Sequence, residues 1–137
     1  MASITTRKLV EGKTTLLLHV TLESNGVQGE LNNEIIISPS DLTPTLPSLP
    51  ALRIMQVWYQ MSWFDVVLKY GGAVPRQVLT LARDSENHID FRYFGGLSDT
   101  PTVPPSDMNG KLLVSTNGFS PLGSVGTIIL ELKKPQP

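Results

Sequence analysis

The chain has 137 residues, of which 40% are hydrophobic and 17% are charged, a composition typical of a single globular domain. Eleven Lys and Arg residues against twelve Asp and Glu residues give a formal net charge of -1, which predicts neither a nucleic-acid nor a membrane partner. The absence of cysteine excludes a disulfide framework, a thiolate zinc site and a cysteine nucleophile. No apolar run reaches about eighteen residues and Met1 is not followed by a signal-peptide core, so synthesis in the cytoplasm is expected.

The N-terminal residues 1–13 are polar and weakly patterned. They carry Arg7 and Lys8 and show no clear alternation, so the sequence predicts a flexible arm here. Such an arm can lie along a neighbouring subunit and become ordered there. A frayed terminus is the simpler alternative, and the sequence does not choose between the two.

Alternation of apolar and polar residues with a period of two continues along most of the remaining chain and predicts eight strands. Pro-rich residues 39–50 and the Pro- and Asp-containing residues 97–110 interrupt the pattern and are predicted to be long surface connections. The predicted strands cover residues 14–23, 34–38, two segments within 52–70 with a hairpin bend near 61–63, and residues 76–82, 89–93, 111–116 and 126–134.

These elements indicate the fold class. Eight strands joined by turns, with no amphipathic helix among them, predict an all-β domain: a single antiparallel β-sandwich or a jelly-roll-like barrel. The domain is expected to span residues 14–134, and residues 135–137 are expected to form a short tail.

The sequence contains few residues that suggest catalysis or metal binding. His19 and His88 are the only histidines, and neither lies at a metal-binding spacing, so no metal or cofactor is predicted. Asp65, Asp90 and Glu131 alternate with apolar neighbours, and a pair of them in one cleft would suit acid-base catalysis. Solvated outer faces explain these carboxylates more simply, and the sequence therefore favours a protein that is not an enzyme.

Two adjacent aromatic residues, Trp58 and Tyr59, suggest a contact surface. Adjacent side chains on an unbulged strand face opposite sides of the sheet, so one of the two is expected to meet solvent or a partner. A surplus aromatic ring on a strand is also what a glycan-binding module uses for stacking. Both alternatives stay open at this point.

Five short motifs give the chain a resemblance to a known class. They read VWY, FDVVL, DFRYFGGL, GKLLVST and ILELKK, at residues 57–59, 64–68, 90–97, 110–116 and 129–134. In this order the segments resemble small structural proteins of tailed bacteriophages, over roughly residues 14–134. The most specific of them is Asp-Phe-Arg-X-Phe-Gly-Gly.

The resemblance implies a virion protein made in the cytoplasm of a bacterial host, namely a capsid decoration (cement) protein that binds the major capsid protein or other virion proteins. A homo-oligomer, with a trimer favoured, is expected. The alternative is a tail, neck or fibre component that binds a receptor or glycan. Expected contacts are made by the N-terminal arm, the Pro-rich loop and the adjacent aromatic pair, represented by Arg7, Lys8, Pro44, Pro47, Trp58 and Tyr59.

Overall fold

The computed structural model describes residues 3–12, 14–23, 31–38, 41, 52–72, 75–97, 108–118 and 125–134. Within these residues the chain forms nine strands and one turn of 3-10 helix, Arg92–Phe94. The strands are β1 Ser3–Glu11, β2 Thr15–Glu23, β3 Glu34–Ile37, β4 Arg53–Met61, β5 Asp65–Gly72, β6 Arg76–Leu81, β7 Ser85–Asp90, β8 Met108–Asn117 and β9 Val125–Lys133. No described segment forms a helix of the length and apolar character that crossing a bilayer requires.

The strands form two sheets with antiparallel pairing throughout. One sheet has the order β1-β2-β9-β4-β7 and the other has the order β3-β8-β5-β6. Apolar side chains from the facing sides of both sheets form one core, which is the arrangement of a β-sandwich. The predicted all-β sandwich is therefore confirmed.

Alternation in β2 and β9 is the clearest link between sequence and core. Every second residue of these paired strands is buried, because successive side chains of a strand point to opposite faces. Across the core, β5 contributes an equally regular set. The fully buried members of these three strands include Leu16, Leu18, Val20, Leu22, Val66, Leu68, Ile128, Leu130 and Leu132.

The N-terminal region differs from the flexible arm that the sequence predicted. Residues Ser3–Glu11 form the edge strand β1, paired antiparallel with β2, with one irregularity between Lys8 and Val10. Ile4 packs against the core, while Arg7 and Lys8 are exposed. Charged side chains are typical of edge strands, where they oppose pairing with another chain, and this explains why β1 lacks the pattern of an interior strand.

A second difference lies at the end of β7. The alternation of Ile89, Phe91 and Tyr93 predicted a strand over residues 89–93, but β7 begins earlier, at Ser85, and ends at Asp90. The aromatic residues that follow are on the 3-10 turn. Periodicity alone cannot distinguish three alternating residues of a strand from a tight turn of similar length.

Strand β4 defines two ends of the sandwich, here called the Arg53 end and the Met61 end. The break predicted near residues 61–63 is present, because β4 stops at Met61 and β5 starts at Asp65, but the prediction of a hairpin was wrong: the two strands lie in different sheets and do not pair. At the Arg53 end, the buried Tyr70 hydroxyl lies between the carbonyl oxygens of Leu52 and Leu97, at 2.7 and 2.9 Å, where its single hydrogen is shared between the two acceptors. In sequence, Leu52 follows the Pro-rich residues 39–50, and Leu97 is at the start of the second Pro-containing segment, residues 97–110.

Candidate functional site

Two aromatic side chains at the Arg53 end stand in solvent. Tyr93 is 92% exposed and Phe94 is 77% exposed. Their rings contact each other edge to face, with 5.5 Å between centroids and 79° between planes. Single exposed apolar residues are common, but two adjacent aromatic rings this exposed are not, and we call the pair the aromatic knob.

Backbone hydrogen bonds fix the turn that carries the knob. The amide of Phe91 donates to the carbonyl of Met55 at 2.8 Å, and Ile54 and Leu97 exchange a pair of bonds at 2.8 and 2.9 Å. Within the turn, the carbonyl of Phe91 accepts from the amides of Phe94 and Gly96. Phe91 packs against the core. The knob therefore stands on a turn that is tied to β4 on both sides.

The two glycines after the knob are required by the backbone. Gly95 has φ +78° and Gly96 has φ +92°, a region that side chains other than glycine rarely adopt. A Cβ atom on Gly96 would also lie 2.5 Å from the sulfur of Met55 and 3.2 Å from the carbonyl oxygen of Ile54. Close approach of the turn to β4 thus depends on this position having no side chain.

An ion pair between Asp90 and Arg92 also stabilises the turn. The carboxylate of Asp90 accepts hydrogen bonds from the amide of Arg92 at 2.9 Å and from its guanidinium, with the shortest contact at 2.8 Å. Hydrogen bonds from the Arg92 side chain are the main reason that the pKa of Asp90 falls to about 2. The same contact raises the pKa of Arg92. Both groups are thus charged and engaged with each other at neutral pH.

The knob suits contact with a protein. Rigid aromatic side chains lose little conformational entropy on binding, and Tyr and Trp are enriched at the energetically dominant positions of interfaces. Asp90 and Arg92 beside the knob neutralise each other, and the exposed guanidinium of Arg53 donates to the carbonyl oxygen of Gly95. Among the described residues, the one ring–ring contact of Tyr93 and Phe94 is the contact between them.

A second surface lies on the outer face of the five-stranded sheet. The ring of Trp58 stacks on that of His88, with 4.7 Å between centroids and 3° between planes. Nε2 of His88 lies 2.8 Å from Oε1 of Gln56, whose Nε2 donates to Glu131. Beside this stack is an open pocket of about 480 Å³. Its outward-facing lining residues are Trp58, Gln60, Glu86, His88, Thr127 and Ile129.

The predicted aromatic pair divides as expected between the two faces. Tyr59 packs against the core and Trp58 lies on the outer face. Arg7 is exposed on β1 opposite His19. Lys8 makes an ion pair with Glu11 at 3.0 Å and also donates to the carbonyl oxygen of Asp41. Pro44 and Pro47 lie outside the described residues, and the contact role of all six stays a prediction.

Of the three carboxylates that the sequence singled out, Asp90 and Glu131 lie on the same sheet, on the strands at either side of Gln56, and Asp65 lies apart from them. Asp65 is on the other sheet from Asp90 and Glu131, where it accepts hydrogen bonds from Arg83 that lower its pKa. Glu131 is engaged with Gln56. Among the residues that the structure describes, no group of three or more His, Asp or Glu side chains is placed to hold a metal ion.

The sequence reasoning missed Tyr93 and Phe94 as contact residues because it placed Tyr93 on a strand. The available signal was the composition of the motif itself. Two glycines directly after two aromatic residues mark a turn, and a turn shows its side chains to solvent. Comparison of the chain with protein-family models, with curated proteins and with solved structures found no match.

Proposed function

We propose that this chain is a capsid decoration protein, a non-enzymatic virion component that binds the head surface of a tailed bacteriophage and stabilises it. The aromatic knob, Tyr93 and Phe94, carries this proposal. A rigid turn that holds two aromatic rings in solvent gives the protein a preformed contact point for a partner protein.

Residues 90–96 give the proposal its second support. This motif contributes most to the resemblance to structural proteins of tailed phages, and each of its seven residues has a place in the knob. Five hold the turn: Asp90, Phe91, Arg92, Gly95 and Gly96. The other two, Tyr93 and Phe94, are exposed to solvent. We therefore propose the motif as a contact point.

The proposed partner is the major capsid protein, and assembly takes place in the cytoplasm of the bacterial host. A closed homo-oligomer, with a trimer favoured, would multiply the contacts that each copy makes, because linked weak contacts bind as a unit. The knob replaces the N-terminal arm as the main proposed contact, since β1 is engaged in the sheet.

The proposal is tested on purified phage particles. Mass spectrometry and imaging should find the protein in many copies on the head. The double variant Tyr93→Ser, Phe94→Ser should fold as the wild type does, because neither ring is buried, but its occupancy on particles should fall by tenfold or more. Ile35→Ser is the matched control, an exposed apolar residue on β3 that should leave occupancy unchanged.

Two results would contradict the proposal. Particles that contain no copy of the protein would exclude the virion role altogether. Particles that bind the double knob variant as well as they bind the wild type would retain the virion role but remove the knob from the contact.

A tail, neck or fibre component that binds a saccharide receptor is the second candidate, and the pocket beside Trp58 favours it. Glu86, Gln60 and Thr127 offer a carboxylate, an amide and a hydroxyl next to aromatic edges, a combination that recognises sugar hydroxyls. Binding of the isolated protein to an array of glycans, lost in Glu86→Ala but kept in Glu34→Ala, would support this candidate. Absence of binding to every glycan on the array would exclude it.

A further inference from the structure

The outer face of the five-stranded sheet carries its side chains in rows that cross all five strands. Paired residues of neighbouring antiparallel strands lie side by side, so the registers show which outward side chains are neighbours. One row, here called the polar row, takes one residue from each strand in the order of the sheet: Thr5, Thr21, Thr127, Gln60 and Glu86. The next row, here called the Trp58 row, consists of Arg7, His19, Ile129, Trp58 and His88.

The polar row lies on the side of the sheet that faces away from the core. On β2, Thr21 stands between Val20 and Leu22, which are both fully buried, so the side chain of Thr21 is on the opposite face. The members of the row on β1, β4 and β7 are exposed: Thr5, Gln60 and Glu86. The row therefore presents three hydroxyls, one amide and one carboxylate, groups that donate and accept hydrogen bonds.

A buried amide fixes the aromatic part of the Trp58 row. The Nε2 amide of Gln56 donates to Glu131, so Oε1 of Gln56 is the atom that faces His88, at 2.8 Å. Because an amide oxygen can only accept, Nε2 of His88 carries the hydrogen of this bond. Gln56 is only 7% exposed. The ring of His88, with that of Trp58 stacked on it, is thus a positioned wall beside the polar row.

The dimensions of the polar row match those of an extended saccharide chain. The pocket of about 480 Å³ lies over the part of the row on β9, β4 and β7, and the row continues onto β2 and β1. Neighbouring strands are about 4.8 Å apart, so the whole row covers roughly 19 Å. One pyranose ring lengthens an extended chain by a similar distance. Rotation at each glycosidic bond lets such a chain follow the twist of the sheet.

The charges beside the row favour a neutral saccharide. Glu86 stands at the β7 end and opposes a phosphate or carboxylate polymer, while Arg7 belongs to the neighbouring row at the β1 end. Neither sign of charge continues along the row. Hydroxyl, amide and carboxylate groups pair with sugar hydroxyls, and an aromatic wall covers the apolar C–H groups of a sugar ring.

We infer that the polar row and the pocket form one groove for an extended, neutral saccharide chain, which runs perpendicular to the strands with about one pyranose per strand. The sugars are joined through equatorial oxygens, as in cellulose, chitin and xylan, because such linkages keep the chain extended. This inference rests on the receptor-binding candidate of the proposed function and adds the linkage, the length and the direction of the saccharide.

The test measures binding of the isolated protein, by calorimetry, to disaccharides and pentasaccharides prepared from cellulose, chitin and xylan. Thr127→Val changes the row inside the pocket, whereas Thr21→Val and Thr5→Val change it beyond the pocket. Valine keeps the shape of threonine and suits a strand, but it lacks the hydroxyl. Thr15→Val is the matched control, because Thr15 is on the same face of β2 but pairs with Lys133, outside the row.

The groove predicts that the effect of each substitution depends on chain length. A pentasaccharide should bind about tenfold more tightly than its disaccharide, since it makes additional hydrogen bonds along the row. Thr127→Val should weaken both by about fivefold, and Thr21→Val and Thr5→Val should weaken the pentasaccharide alone by a similar factor. Thr15→Val should change neither. Maltopentaose, whose axial linkages bend the chain, should not bind.

Several results would overturn the inference. Equal affinity for both lengths, or normal binding of the pentasaccharide by Thr21→Val and Thr5→Val, would confine the sugar to the pocket and leave the receptor-binding candidate in place. Binding of maltopentaose at the same affinity would exclude alignment along the row. If these chains failed to bind but another glycan on the array bound, the groove alone would fail. If no glycan bound, the receptor-binding candidate would fail with it, whereas occupancy on particles would still decide the decoration function.

Discussion

Nζ of Lys134 lies 2.9 Å from Oε2 of Glu11 and 2.8 Å from the carbonyl oxygen of Gly12, although the first residue is near the end of the chain and the others are near its start. The Lys134 side chain is only 2% exposed. Because a buried ammonium needs its partners, this contact fastens the edge strand β1 to the end of β9, the central strand of the same sheet.

Glu11→Ala should therefore destabilise the fold by on the order of 2 kcal/mol, since it leaves a buried charge with one acceptor fewer. Lys8→Ala removes an exposed pair to the same carboxylate and should cost less than about 1 kcal/mol. Chemical denaturation measures both values. Equal effects of the two substitutions would show that the Lys134 contact does not stabilise β1.

Gly96→Ala should destabilise the protein by about 2 kcal/mol, because it combines positive φ with a Cβ clash against β4. Gly12→Ala is the matched control: an added Cβ there meets nothing closer than 3.6 Å, and a change within about 0.5 kcal/mol is expected. Thermal unfolding of both variants tests the difference. A stable Gly96→Ala variant would mean that the turn under the knob can shift away from Met55.

Leu130→Asp should prevent soluble folding, because a charge at a fully buried position costs on the order of 5 kcal/mol, a large share of a domain's stability. Glu131→Ala, on the opposite face of β9, should cost only about 1 kcal/mol through the lost hydrogen bond from Gln56. Lys133→Ala, exposed on the same strand, should be neutral. Soluble yield and denaturation curves distinguish the three, and a soluble Leu130→Asp protein would contradict the register of β9.

Arg92→Gln should raise the pKa of Asp90 from about 2 towards its ordinary value of 3.8, because the main cause of the depression is the hydrogen bonding of the Arg92 side chain. In the wild type, the stabilising effect of this pair is complete above about pH 4 and is lost as the pH falls through about 2, since the carboxylate is favoured in the folded state. Titration of the Arg92 amide by NMR follows Asp90 directly. Arg83→Gln, which acts on the pKa of Asp65, should leave that of Asp90 unchanged.

The sequence alone determined the fold class and most of the core. Leu18 and Leu130 lie on the buried, apolar side of the alternating pattern, because the direction of a side chain on a strand depends on its position within that strand. The break before Asp65 was predicted from the length of residues 52–70, although the two strands that it joins lie in different sheets and form no hairpin. These properties depend on residues that are close together along the chain, and such local patterns can be recognised in a single sequence.

The tertiary structure alone decided which strands pair and which aromatic residues remain exposed. Nothing local in residues 3–11 shows that they complete a sheet, because β1 obtains its hydrogen bonds from β2 and its charge partner Lys134 from the far end of the chain. Tyr93 and Trp63 have the same aromatic character as the buried Phe64. They stay in solvent because turns with positive φ, closed by contacts from distant segments, direct them outward, and such long-range constraints leave no periodic trace in the sequence.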